Sequence, residues 1–178
     1  MATHKIAQKI PIKPTKKQMK LFADCFGARR FAYNSQVAVF NTYSEENKEL
    51  VYPKITDLKR ENEWLKTSVV PAHSLSNALM DFGKARTAYF KKANYGKNRP
   101  SFHSRHDYIQ SFRNGMPLKM IRDNGRYQLS KKLGYIKIRK RDKLRYPIEQ
   151  MTQWTIKREG EKYYIVFLFF HFTQLLMK

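Results

Sequence analysis

The chain has 178 residues, enough for one sizeable core or two small lobes sharing one, and its 42% hydrophobic and 14% aromatic content argues against disorder. With 36 Lys+Arg against 14 Asp+Glu the formal net charge is +22, so a compact body repels itself unless a polyanion neutralises it. A single cysteine, Cys25, excludes a disulfide framework and a thiolate zinc site.

His4 to Ile12 alternates as a strand does, and Pro11 and Pro14 stop it. Thr15-Lys-Lys-Gln18 is a capping box, in which hydroxyl and side-chain amide satisfy two orphan donors at a helix start. Met19, Phe22 and Phe26 then recur at helical spacing, Cys25 reads as a small core residue, and Gly27 is placed to end the helix. A second helix, ARRFAYNSQVAVFNTY, follows at once, with Phe31, Asn34, Val37, Ala38 and Asn41 along one side. Two helices joined by a glycine turn resemble a helix-turn-helix, and a plain αα-hairpin fits the same spacing.

Ile55 to Leu65 reads as a third helix. Pro71 opens a fourth, with Leu75, Leu79, Phe82, Ala85 and Tyr89 as its apolar stripe, and the glycine-centred NYGKNRP ends it. After Pro100 the period falls to about two. Asn124-Gly125 is a two-residue hairpin signal, Tyr135, Ile136 and Ile138 are strand-like, and Gln153 to Phe170 forms a hairpin turning at Glu159-Gly160. The last strand is apolar on both faces, as a strand deep in a core would be.

This order predicts an α+β fold: a β-barrel with an inserted four-helix lobe. Residues 1–14 give the first barrel strand, 15–95 the helical lobe with its helix-turn-helix-like start, 96–170 the remaining strands and 171–178 a divergent tail. The N-terminus lacks the apolar run of a signal peptide, and Tyr163 to Met177 is too short and mixed for a membrane helix, so a cytoplasmic chain with no membrane partner is expected.

The charge is concentrated: Lys84 to Arg145 holds 19 Lys+Arg and three acids, Asp107, Asp123 and Asp142. Its cations lie in turn-rich and strand-like sequence among rings, which suits phosphate contact with base stacking better than one face of an interfacial helix. The candidates for backbone contact are Lys91, Lys92, Lys97, Arg99, Arg105, Arg113, Lys131, Lys132, Arg139, Lys140 and Arg141. Tyr95, Phe102, Tyr108 and Phe112 stand among them to stack or to pack.

His103, His106 and Asp107 sit close in sequence, but without thiolates and with few carboxylates neither a metal nor another cofactor is expected. Glu45, Glu46, Glu49, Asp57, Glu61 and Glu63 belong to the helical half, away from the strand ends where a two-metal nuclease site is built. From the residues, the chain reads as a binder rather than a catalyst.

Several stretches, in this order, resemble the N-terminal part of TnpB/OrfB proteins of IS200/IS605 transposons, relatives of compact type V CRISPR nucleases. KIPIKPTKKQMKLFADCFGARRFAYN carries Pro14, Thr15, Gln18, Gly27, Arg30, Tyr33 and Asn34 at the family's positions. ITDLKRENEWL, LSNALMDFGKARTAYFKK, GKNRPSFHSR and SKKLGYIKIR follow, so the resemblance runs from about Lys5 to about Val166. It implies a wedge barrel interrupted by a recognition lobe, binding a structured guide RNA and target DNA. It also implies that cutting belongs to a RuvC-like domain that would follow these residues, so no catalytic residue is carried over. By position within the family pattern, Tyr52, Ser76, Asn77, Gln110 and Ser111 are the candidates for reading a target-adjacent motif.

The leading expectation is thus a nucleic-acid-binding, TnpB-like fragment that partners RNA, DNA and in some settings a full-length relative. Besides a strand-cutting activity gained on assembly with a full-length relative, two alternatives stand beside it. One is a double-stranded DNA-binding regulator whose recognition helix begins near Arg29 and Arg30, and the other is the product of a decayed gene.

Overall fold

The computed structural model describes residues 3–44, 46–67, 69–91, 98–115, 119–121, 125–139 and 141–172. In chain order these form β1 (Thr3–Ile12), α1 (Lys16–Phe40), α2 (Ile55–Glu61), α3 (Glu63–Thr67), α4 (Ala72–Phe90), β2 (Ile109–Asn114), β3 (Lys119–Ile121), β4 (Arg126–Ser130), β5 (Gly134–Lys137), β6 (Met151–Glu159) and β7 (Lys162–Phe172). The α+β class holds, with four helices and antiparallel sheets. The chain divides into two compact units: Met1–Phe22 with Tyr108–Lys178, and Ala23–Asp107.

In the sheet unit, the strands lie in the order β1-β7-β6-β2, all antiparallel, beside a smaller sheet β3-β4-β5. Among the described residues these remain two hydrogen-bonded sheets that share a core rather than one closed barrel. Alternation decides which side chains meet. Ile10 and Ile12 of β1, Phe112 of β2, Trp154 and Ile156 of β6, and Ile165, Phe167 and Phe169 of β7 turn to the same side and are buried. Phe167 meets Tyr127 of the smaller sheet at 6.1 Å between ring centroids, and Phe22 at the start of α1 meets Phe112 at 5.8 Å. Removing one such fully buried ring costs about 3–5 kcal/mol. The other side of β7 is less enclosed than its apolar sequence predicts: Tyr164, Val166, Leu168 and Phe170 are only partly buried there.

The capping box forms at the start of α1. The Thr15 N–H donates to Gln18 Oε1 at 3.1 Å, and the Gln18 N–H donates to Thr15 Oγ1 at 3.2 Å. The Gln18 amide then donates to the Tyr135 carbonyl at 2.6 Å, tying the helix start to β5.

Three sequence expectations about the helices are corrected. Gly27 does not end a helix: α1 runs without interruption through Lys16–Phe40, so no helix-turn-helix or αα-hairpin turn lies there. A mid-helix glycine costs about 1 kcal/mol relative to alanine. The burial of Ala28, Ala32, Tyr33, Val37 and Phe40 in the second unit's core outweighs that. The buried side of α1 follows those residues; Ala38 and Asn41, expected to line it, are exposed. The expected third helix instead divides into α2 and α3 at Asn62, whose backbone is extended (φ −127, ψ 94) and whose side-chain amide donates to the Leu58 carbonyl.

The helical unit is centred on Phe40, ringed by Tyr43, Phe82, Tyr89 and Phe90 at 5.5–6.0 Å. α4 contributes Leu75, Ala78 and Phe82 at helical spacing, and the short helices contribute Leu58 and Leu65. Cys25 is fully buried, and desolvation, with the nearby Asp24 carboxylate adding to it, pushes its thiol up to about 12. It is an inert core residue.

Candidate nucleic-acid interface

The two units share the charge unequally. The sheet unit holds 22 Lys+Arg against 5 Asp+Glu, whereas the helical unit holds 14 against 9. Of the formal net +22, therefore, +17 belongs to the sheet unit.

That unit holds a cation-lined cleft of about 400 Å³ beside β1, an edge strand. Ala7, Gln8, Lys9 and Ile10 form one wall, and Arg141, Asp142, Lys143 and Arg145 form the other. Gln8 fixes the distance between the walls. Its amide donates to the Lys143 carbonyl at 2.9 Å, and its oxygen accepts the Arg145 N–H at 3.0 Å. The acid of the cleft, Asp142, accepts from Arg139 Nε at 3.0 Å. Arg141, Lys143 and Arg145 are exposed, and the two Gln8 bonds anchor the backbone at Lys143 and Arg145.

Lys9 connects the cleft to the outer face of the larger sheet. Its ammonium lies 4.0 Å from the centroid of the Tyr164 ring and 2.6 Å from Glu159. Lys157 reaches the other Glu159 oxygen, also at 2.6 Å, so one carboxylate joins β1 to β6 across β7. These two hydrogen bonds, Lys157 first, hold the Glu159 carboxyl below the usual carboxylate range. Lys5 lies 5.4 Å from the Phe170 ring on the same face. Such a surface offers cations for phosphates and partly exposed rings between them.

Of the backbone-contact candidates, Arg113 lies on β2, Lys131 and Lys132 are exposed in the β4–β5 turn, Arg141 lines the cleft and Arg139 pairs with its Asp142. Lys91, Arg99 and Arg105 belong to the helical unit. Lys92, Tyr95, Lys97 and Lys140 lie outside the described residues. Arg99 is built into the fold. Its guanidinium donates to the Phe40 carbonyl at 3.3 Å, at the C-terminal end of α1, and lies 5.2 Å from the Phe40 ring. A cation at that position complements the helix dipole.

The rings separate by burial. Phe112 is fully buried between Phe22 and Trp154. Phe102 and Tyr108 are 57% and 72% exposed, so they keep a face for stacking. Tyr108 is held in place: its carbonyl accepts the Gly160 N–H at 3.0 Å, and a Cβ added at Gly160 would come within 3.0 Å of its ring. Gly160, at φ +54, thus makes both the hairpin turn and the seat of that ring.

The motif-reading candidates are not alike. Tyr52 packs on Phe82 at 5.4 Å with the Arg86 guanidinium 5.1 Å from its ring centroid, and burial pushes its phenol up, Arg86 opposing. Ser76 is exposed and its hydroxyl donates to the Ala72 carbonyl, one turn back on α4, at 3.5 Å, and Asn77 follows it on the same helix. Gln110 and Ser111 point to opposite sides of β2, Ser111 sharing the outer face with Lys157, its partner in register. His103 packs its ring on Tyr33 at 4.4 Å, its backbone is clamped by the Asn34 amide, and Arg105 donates to His106.

Sequence reading missed Gln8, Lys9 and Tyr164, and took in Lys143 and Arg145 only as part of the cation-rich stretch from Lys84 to Arg145. The alternation of β1 carried part of the signal, since it sets Lys5, Ala7 and Lys9 on one face. The loop that completes the cleft is joined to Gln8 only in three dimensions.

Residues 1–49 match the family model of a helix-turn-helix domain of OrfB proteins of IS605 type. The match supports a transposase-associated, DNA-binding role for this part of the chain, which folds here as β1 and all of α1 with the turn that follows it. No curated protein matches the chain. Among the described residues, no helix is long and apolar enough to cross a membrane.

Proposed function

We propose that this protein is a nucleic-acid-binding part of a TnpB-like, transposase-associated system, holding a structured guide-type RNA together with DNA. The single observation that carries the reading is the sheet unit's charge, 22 cations against 5 acids, of which Lys9, Arg141, Lys143 and Arg145 line a cleft whose loop is anchored by Gln8. A-form RNA is gripped through phosphate and 2′-hydroxyl contacts rather than through base edges, which suits a cationic wall with few carboxylates. Lys and Arg of the cleft contact the backbone, and Tyr108, exposed in the same unit, stacks on an unpaired base.

The role proposed is binding without strand cleavage. The cleft lining carries one carboxylate, Asp142, which is ion-paired to Arg139, whereas metal-assisted hydrolysis calls for several carboxylates converging on one point. The chain works beside a nuclease, for example a full-length relative, which supplies cutting.

A second reading is favoured by the helix-turn-helix match: duplex DNA bound through residues 1–49. Competition separates the two. The protein bound to a labelled RNA hairpin is challenged with unlabelled duplex DNA of equal length across a salt series. Retention of the hairpin supports the first reading, and its displacement at stoichiometric duplex supports the second. A magnesium-dependent nicking assay on the same sample is expected to be blank, and cleavage by the purified protein would overturn the binding-only role.

A further inference from the structure

The helical unit contains an open cavity of about 690 Å³, within the range of about 300–1,000 Å³ typical of small-molecule sites. One wall is a single face of α1, since Ala23, Asp24, Gly27, Arg30, Phe31 and Asn34 recur at helical spacing. Trp64 and Val69 form the opposite wall. Trp64 is 47% exposed and stands edge-on to Phe31, 5.4 Å between centroids, so its indole is braced by that ring and still keeps nearly half its surface accessible. Gly27 forms the floor. Its φ is not positive, so no turn requires a glycine, and a Cβ there would meet nothing nearer than the Arg30 guanidinium at 3.8 Å. The missing side chain leaves that space to the cavity.

Resting on the nucleic-acid reading above, we propose that this cavity takes one unpaired nucleobase, stacked on Trp64, with the Arg30 guanidinium toward its phosphate. The exposed part of the Trp64 indole suits a π-face, and the Arg30 guanidinium lining the same cavity suits the attached backbone. Asn34 forms part of the wall only, because its amide is committed to the His103 backbone in both directions.

The two tryptophans make the test direct: Trp154 is fully buried in the sheet unit, so an exposed-indole signal reports Trp64. Two RNA hairpins of equal length, one fully paired and one with a single bulged adenine, are titrated into the intact protein while tryptophan emission and affinity are followed. The bulged hairpin is expected to bind about tenfold tighter and to quench the exposed indole. Trp64→Leu and the cavity-filling Gly27→Leu are expected to abolish that preference while leaving the paired hairpin's affinity unchanged, and Trp64→Phe is expected to keep part of it. Gly27→Leu retains a helix-forming residue, which guards against a folding artefact. Equal binding of both hairpins, or a preference that survives both leucine variants, would overturn this inference alone. Failure of either hairpin to bind would overturn the functional reading beneath it.

Discussion

Gln8 on the edge strand and Arg145, 137 positions later, are joined by an N–H···O contact of 3.0 Å. With its partner contact to the Lys143 carbonyl, this side chain does for the loop what a neighbouring strand would do for a sheet edge. The cations of the cleft owe their positions to a neutral residue. Gln8→Ala should therefore weaken RNA binding with no change in net charge. Two hydrogen bonds of about 1 kcal/mol each are lost, so affinity should fall by several-fold while the slope of log K against log salt stays the same. Isothermal titration over a salt series measures both, and a changed slope would show that Gln8 does not act by positioning.

Arg99 separates structural from binding cations. Because it completes the end of α1 at the Phe40 carbonyl, Arg99→Ala should lower stability by about 1 kcal/mol and leave the salt slope unchanged. Chemical denaturation and binding on one sample decide the matter. A slope reduced by about one, with stability intact, would return Arg99 to the phosphate contacts.

The bridge from Lys9 through Glu159 to Lys157 gives the sheet an acid limb. A carboxyl whose folded pKa is depressed stabilises the fold above its unfolded pKa, and that contribution is lost as pH falls through the folded value. Denaturation midpoints measured downward through the ordinary carboxylate range should fall more steeply in the native protein than in Glu159→Gln. Parallel curves would show that the bridge contributes nothing to stability.

Gly27→Ala should raise stability by about 1 kcal/mol, or roughly 2–4 °C in Tm, because α1 passes through this position in ordinary helical geometry. A lowered Tm would mean that the chain turns here after all.

The same glycine shows where sequence reading stopped. A local rule assigns Gly27 to a helix end, and the rule fails because Ala28, Ala32 and Val37 bury their side chains only if the helix continues. Where local and tertiary preferences agreed, the elements were legible: the Thr15 cap, Pro71 before α4 and the Gly160 turn all stand where the residues put them. Period two made strands legible but not their sides. Nothing in the SFHSRHDYIQSFR stretch distinguishes buried Phe112 from exposed Phe102 until the pairing of Phe112 with Ile156 sets the register. The candidate site was legible as a charge excess and not as a place, because its walls come from residues 7–10 and 141–145.

The most direct measurement is the salt dependence of RNA-hairpin affinity for the native protein and for Arg141→Ala/Lys143→Ala/Arg145→Ala, whose side chains are exposed at the cleft. The slope should flatten by about 2–3 in the triple variant, with unchanged thermal stability and weaker binding to every hairpin sequence alike. An unchanged slope and affinity would contradict the assignment of this cleft as the surface that holds the nucleic-acid backbone.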